Sequence, residues 1–113
     1  MSISHTDVGD LRKIVILGRL DVSGTGSVAN ELEKLAAGPT KGVVVDLSSL
    51  KFLASLGIRA LIKSAQVVED RGGRMVLFVG TNAQVVMSLE ATGIDELIPM
   101  FKNNAEAERA AVA

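Results

Sequence analysis

The residues of this chain that could support chemistry carry hydroxyl side chains, and they occur in groups that follow hydrophobic segments of the sequence. They fall in three segments, 18–27, 48–57 and 80–82. The carboxyl ends of parallel strands form one edge of a sheet, where functional groups gather, so the three segments are predicted to lie along that edge. None of them contains a histidine, which excludes a serine–histidine–aspartate set within them. The pattern indicates a binding surface rather than a catalytic centre.

Ser55 is the most informative of these residues. It opens the segment 55–71, which has the strongest helical pattern in the chain, and serine is a favoured N-cap because its oxygen accepts first-turn amide hydrogens. Gly57 is unusual there, since glycine inside a helix costs stability relative to alanine. Two interpretations remain open. Either Gly57 lets another molecule approach the backbone while Leu56 is exposed to a partner, or Ser55 is only a cap and Gly57 only relieves crowding.

A second pattern in the sequence resembles a cofactor site. The run Gly24-Thr25-Gly26-Ser27-Val28-Ala29 matches G-x-G-x-x-A, and Asp46 follows about 20 residues later at a predicted strand end, as in dinucleotide-binding folds. The glycines lie several residues past the preceding strand, however, and the chain lacks a second half to enclose a dinucleotide. We therefore favour a glycine-rich loop that leads into a helix, with a small dinucleotide-binding domain as the alternative.

Composition excludes several other kinds of site. The 113 residues include no cysteine, tryptophan or tyrosine, and His5 is the single histidine. Thiol chemistry and histidine-rich metal sites are excluded, so we expect no metal, no cofactor and no enzyme activity. The 12 basic and 13 acidic residues give a formal net charge of −1, which does not favour nucleic acid or an anionic membrane as a partner. Without a signal-peptide pattern or an apolar run of about 20 residues, the expected location is the cytoplasm.

The elements that position these residues alternate along one predicted domain, 1–113. An N-terminal hairpin followed by alternating strands and helices implies parallel pairing with right-handed crossovers. The predicted fold is α/β, a small mixed β-sheet with an N-terminal hairpin and parallel central strands, flanked by about four helices. The run 14–17 is expected to be buried on both faces, and 48–54 to be a connection. Strands are predicted at 3–8, 11–20, 43–47, 75–79 and within 94–101, and helices at 28–37, 55–71, 83–92 and 103–113.

The segment 43–61 resembles the core of a STAS domain, the anti-sigma factor antagonist family. The family pattern is a hydrophobic strand, Asp or Asn, Leu, a short connection, then Asp-Ser-Ser/Thr-Gly and a helix, and its last part corresponds to Ala54-Ser55-Leu56-Gly57. The earlier Gly18-Arg19-Leu20-Asp21 resembles the Gly-x-Leu-Asp that follows the second strand of the family. The segments 72–77 and 89–94 also fit its spacing. The resemblance covers nearly the whole chain and implies a STAS-like fold.

The resemblance also implies a function and a partner. Members of the family bind an anti-sigma factor, typically a serine kinase of the GHKL type, and so release a sigma factor in a partner-switching pathway. The kinase phosphorylates the serine of the motif, which corresponds to Ser55, and a phosphatase restores it. The residues that this resemblance and the loop positions assign to partner binding are Asp21, Ser23, Ala54, Ser55, Leu56, Gly57 and Thr81.

The sequence departs from the family pattern on both sides of the serine. Ala54 replaces the aspartate, and Leu56 replaces the following serine or threonine. The first change removes a carboxylate beside the hydroxyl, and the second makes the surface more apolar. These changes leave open a variant that binds constitutively, an unphosphorylated subunit of a larger assembly or scaffold, and a different partner-switching pathway. A weak homodimer is a further possible partner.

Overall fold

The computed structural model describes residues 2–113, except for the side chains of Val22, Thr25 and Ser27. Strands and helices alternate as predicted, and a short 3₁₀ turn, Ile94–Glu96, precedes the last strand. The strands are β1 Ser2–Val8, β2 Leu11–Leu20, β3 Gly42–Asp46, β4 Leu50–Leu53, β5 Arg74–Phe78 and β6 Met100–Phe101. The helices are α1 Val22–Ala36, α2 Ser55–Asp70, α3 Ala83–Thr92 and α4 Asn104–Val112.

The strands form one mixed sheet in the order β1-β2-β3-β5-β6. The first pair, β1 and β2, is antiparallel and the other neighbours are parallel, which confirms the predicted hairpin and the mixed sheet. Strand β2 is long enough to pair with two strands on the same side. Its first half pairs with β3, and Gly18 and Leu20 pair with Leu50 and Leu53 of β4. Strand β4 and the second half of β2 therefore extend beyond the rest of the sheet. The segments that follow these two strands begin at this extension.

The sheet is covered unequally on its two faces. Helices α1, α2 and α3 pack on one face over the main core, which includes Ile14, Leu32, Leu61, Leu77 and Leu89. Helix α4 covers the other face through a smaller cluster of Val44, Val76, Ala107 and Ala111. This helix packs mainly on β3 and β5, and its small side chains let it lie close to the sheet. The first three helices therefore position the candidate site.

Two expectations about the strands are wrong. The run 14–17 is not buried on both faces, because α4 does not extend over the outer part of β2, and Leu17 is 43% exposed. The segment 48–54 is not only a connection, since it contains β4. The sequence pattern did not predict strand β4, because its two middle residues, Lys51 and Phe52, are both exposed and its burial does not alternate.

The helix ends follow the glycine and asparagine signals of the sequence. Helix α2 stops before Gly72, whose positive φ of 84° is readily adopted only by glycine. Helix α3 lies between Asn82, whose side chain accepts the Val85 amide, and Gly93, which has a φ of 75°. These boundaries confirm the predicted helices 55–71 and 83–92 to within a residue.

Candidate functional site

Ser55 is the first residue of α2 and is exposed to solvent. The N-cap is the preceding residue, Ala54, which has extended backbone angles of φ −93° and ψ 171°. The prediction that Ser55 caps the helix is therefore wrong by one residue. The Ala54 side chain is a methyl group and cannot accept a hydrogen bond, so the first-turn amides are left for solvent or an external acceptor. The Ser55 hydroxyl stands at this positively polarised end of the helix.

A main-chain hydrogen bond places Ser55 beside the start of α1. The Ala54 amide donates to the Leu20 carbonyl at 2.9 Å, which extends the pairing of β4 with β2 by one residue. Ser55 follows one partner of this bond and Asp21 follows the other, so both helices begin at the same point of the sheet edge. The structure thus brings Asp21, Ala54 and Ser55 together, as the sequence predicted.

Asp21 supplies a fixed negative charge at this point. Its Oδ1 accepts the Gly24 amide at 2.8 Å and so caps α1, while its Oδ2 lies 3.6 Å from Nε of Arg19. The Gly24 hydrogen bond, followed by the Arg19 charge, holds the pKa of the Asp21 carboxyl below its ordinary value. Asp21 is therefore ionised at neutral pH, and it gives α1 the carboxylate that the start of α2 lacks.

Gly57 serves the packing of the protein itself. It is buried, and a Cβ at this position would lie 2.9 Å from both Leu20 Cβ and Leu53 Cδ1. The interpretation that Gly57 admits another molecule is therefore wrong, and the crowding interpretation is correct. Leu56 beside it is 39% exposed, as expected for an apolar side chain at a helix tip.

The predicted segment 18–27 is mostly helix rather than loop. Helix α1 begins at Val22, six residues before the expected start, because the Asp21 carboxylate satisfies the Gly24 amide. Ser23 is exposed in the first turn of this helix, two residues after Asp21, which is the N-cap of α1.

The early start of α1 also removes the basis for a dinucleotide site. In the G-x-G-x-x-A run, Gly24 and Gly26 are helical, and the Gly24 amide that would cradle a phosphate is occupied by the Asp21 carboxylate. That carboxylate would repel an anionic ligand. The side chains of Thr25 and Ser27 lie outside the described part of the structure. Asp46, the other member of the pattern, accepts hydrogen bonds from the amide and hydroxyl of Ser48 at 2.9 and 2.6 Å. Its carboxylate therefore stabilises the turn that follows β3.

Thr81 lies at a different part of the sheet edge. It is exposed, and the adjoining Asn82 donates from Nδ2 to the carbonyls of Leu47, Ser48 and Leu50 at 2.7–3.3 Å. These bonds attach the start of α3 to the start of β4, whereas Ser55 follows the end of β4. The four steps from Leu50 to Ala54 correspond to about 13 Å of extended chain. Thr81 is therefore separated from Ser55 by roughly the length of β4.

An apolar surface beside the site was missed at the sequence level. Phe52 is 37% exposed on β4, and the guanidinium of Arg19 lies 4.6 Å from the centre of its ring. Phe52 and Met87, which is 69% exposed, line a shallow cleft of about 190 Å³ between β4 and α3. The available signal was a bulky aromatic residue in a segment predicted as a connection.

A metal-holding cluster and a membrane-crossing helix are both absent from the described residues. No group of three histidine, aspartate or glutamate side chains among them is arranged to hold a metal ion. Within the same residues, no helix combines the length and apolar character required to cross a membrane.

Comparison with known proteins agrees with the fold. The family model of the STAS domain matches residues 5–107, and a comparison with curated protein sequences gives no match. Among solved structures, an anti-sigma factor antagonist from Mycobacterium paratuberculosis is 17% identical, with a TM-score of 0.83 over 99% of this chain and 94% of that chain. An anti-sigma-factor antagonist (STAS) domain protein from Planctomyces limnophilus is 24% identical, with a TM-score of 0.83 over 96% of each chain.

The phosphorylated form of SpoIIAA, a Bacillus cell fate determinant, has the same fold. It is 14% identical, with a TM-score of 0.68 over 96% of this chain and 99% of that chain. At such identities the solved structures establish the architecture alone. The family model spans most of the sequence, and it shows that this chain belongs to the STAS domain family.

Proposed function

We propose that this protein is an anti-sigma factor antagonist that binds a serine-kinase anti-sigma factor of the GHKL type, and that phosphorylation of Ser55 by that kinase controls the binding. A phosphatase would return the protein to its binding form. The observation that carries the proposal is the exposed Ser55 hydroxyl at the start of α2, beside exposed Leu56 and ionised Asp21. A kinase can reach this hydroxyl without unfolding any part of the domain.

The proposed docking face surrounds the adjacent starts of α1 and α2. It combines the charge of Asp21 with the apolar side chains of Leu56 and Phe52, a mixture of polar and apolar groups that is usual in non-obligate protein interfaces. Ser23 and Ala54 lie within this face, and Thr81 would contact a partner only at its rim. Gly57 contributes indirectly, because it lets α2 pack against Leu20 and so fixes the position of the face.

Phosphorylation would change the charge of this face without breaking the fold. A phosphoserine adds about −1.5 to −2 charges at pH 7. The first-turn amides of α2 and the helix dipole favour an anion at position 55, and Ala54 brings no carboxylate against it. A docked partner, in contrast, would remove water from a phosphate that lies beside the carboxylate of Asp21. Taking this added negative charge out of water opposes docking. The switch therefore acts by local electrostatics.

A phosphorylation assay tests the first part of the proposal. The protein is incubated with ATP and a GHKL-type serine kinase encoded beside its gene, and its intact mass is measured. The proposal predicts a gain of one phosphate that maps to Ser55 and is lost in Ser55→Ala. A phosphate on another residue, or none with a kinase that binds the protein, would contradict phosphorylation of Ser55.

A set of variants tests the control of binding. We expect Ser55→Ala to bind the kinase and Ser55→Asp to lose binding while retaining its melting temperature, because the helix start accommodates the added charge. Ser49→Asp is the matched control, since Ser49 is also an exposed serine but lies in the turn before β4. Equal binding by the wild type and both Ser55 variants would remove this residue as the switch.

An unphosphorylated subunit of a larger assembly is the second candidate. The observation that favours it is the exposure of the apolar side chains of Phe52, Leu56 and Met87, which does not depend on phosphorylation. Mass measurement by light scattering, with and without prior phosphorylation, distinguishes the two. An assembly that forms with any partner regardless of phosphate would support the second candidate.

A further inference from the structure

The outer edge of β1 is an unusually open strand edge. The strand is seven residues long, six of its residues are exposed, and within residues 2–113 only β2 pairs with it. Edges of this length are commonly protected by lysine, proline or a bulge, because their free amides and carbonyls attract another strand. Strand β1 contains neither lysine nor proline. The opposite edge of the sheet, β6, has only two residues.

The charge on β1 is already neutralised within the protein. Asp7 is its only acidic residue, and both of its carboxylate oxygens accept hydrogen bonds from Arg12 of β2, at 2.7 and 2.8 Å. The Arg12 hydrogen bond holds the pKa of the Asp7 carboxyl below its ordinary value, so this pair is charged and closed at neutral pH. Asp7 therefore does not protect the edge as a free charge would.

We propose that the edge of β1 pairs with β1 of a second copy of this chain, antiparallel and about a two-fold axis that passes through His5. In an antiparallel pair, facing residues must have the same backbone orientation, so a two-fold pairing places one residue opposite itself. The axis at His5 uses the whole strand. Ser4 then lies opposite Thr6 of the second copy, which is a favourable hydroxyl pair.

This register also brings two exposed apolar side chains into the same row of the sheet. Val8 is 69% exposed and Leu17 is 43% exposed, and they lie at opposite ends of the β1–β2 hairpin, where Val8 faces Leu11 and Leu17 faces Ser2. In the proposed pairing, Val8 lies opposite Ser2 of the second copy, and the next residue in that row is the second copy's Leu17. Ser2 of the second copy therefore covers part of Val8, and Leu17 of the second copy lies one strand further, about 9.5 Å from Val8.

The pairing does not use the surface proposed for kinase docking. Strand β1 extends along β2 only as far as Leu17, whereas the outer part of β2, from Gly18, pairs with β4 and leads to Asp21. The inference therefore stands independently of the proposed function. A single edge of seven residues is a small contact compared with the interfaces of stable dimers, so association should depend on concentration.

Sedimentation equilibrium over a concentration series tests the pairing. We expect a mass that rises towards the dimer in the wild type, and a dissociation constant at least about tenfold larger in Ser4→Lys, which places an ammonium group at the centre of the edge. Ser49→Lys is the control and should behave as the wild type. A monomer at every concentration, or a dimer that Ser4→Lys leaves unchanged, would overturn the proposal.

Cysteine cross-linking tests the register separately. The chain has no cysteine, so each variant carries a single thiol. In the proposed register His5→Cys faces itself and should form a disulfide-linked dimer on mild oxidation much faster than Ser49→Cys. Equal rates in the two variants would overturn the His5 axis.

Discussion

Replacing Gly57 by alanine should destabilise the protein, although alanine is the better helix former. The added Cβ would lie 2.9 Å from Leu20 Cβ and 3.2 Å from the Leu20 carbonyl oxygen. Both atoms belong to the backbone or are attached directly to it, so they cannot move aside as the end of a long side chain can. Overpacking of this kind costs about 1–3 kcal/mol, and removing a helical glycine returns about 1 kcal/mol. We expect a net loss of up to about 2 kcal/mol in the free energy of unfolding, with a mid-range value of about 1 kcal/mol.

Urea unfolding followed by circular dichroism measures this loss, and Gly26→Ala is the matched control. Gly26 is also helical, but a Cβ there would have no neighbour within 4 Å among the described residues. Its replacement should therefore stabilise the protein by up to about 1 kcal/mol. If Gly57→Ala raised stability by as much as Gly26→Ala, the conclusion that Gly57 exists to let α2 pack against Leu20 would be refuted.

Two further predictions concern the caps of the neighbouring helices. Because the pKa of Asp21 is lowered in the folded state, its stabilising effect should be complete above its unfolded pKa of about 3.9 and lost as the pH falls through the folded value. The stability difference between wild type and Asp21→Ala should therefore shrink below about pH 4, and a constant difference would contradict the role of the carboxylate. Asn82→Ala removes a helix cap and the amide that donates to three carbonyls, so it should cost about 2 kcal/mol, whereas exposed Thr81→Ala should change stability by less than about 0.5 kcal/mol. Thermal unfolding of both variants measures this contrast, and equal losses would show that the Asn82 bonds are not what attaches α3 to β4.

The sequence predicted the elements whose burial follows a regular period. Helix α2 has an apolar stripe that includes Ile58, Leu61 and Val68, and all three are buried. The parallel central strands followed instead from continuous apolar runs, the hairpin from the Gly9-Asp10 turn signal, and the terminal helix from an Ala- and Glu-rich segment. Strand β4 did not, because it is short and packs at both of its ends while its middle faces solvent.

The errors at the site arise from contacts that are distant in sequence. Two glycines near the start of α1 argued against a helix there, but the Asp21 cap and the packing of α1 on α2 outweigh their cost. At the start of α2, local preference assigned the cap to Ser55. The hydrogen bond from Ala54 to Leu20 instead fixes the helix start one residue earlier and leaves the hydroxyl exposed. Ser55 is therefore an exposed hydroxyl in the first turn of α2 rather than its cap.

In the proposed switch, a phosphate on Ser55 weakens docking to the kinase while the fold persists. Titration calorimetry of the purified GHKL-type kinase with the unmodified protein, and then with protein phosphorylated at Ser55, measures this directly. We predict that phosphorylation raises the dissociation constant at least about tenfold, or about 1.4 kcal/mol, with no loss of helical structure by circular dichroism. Equal affinity of the two forms for the kinase would contradict the account.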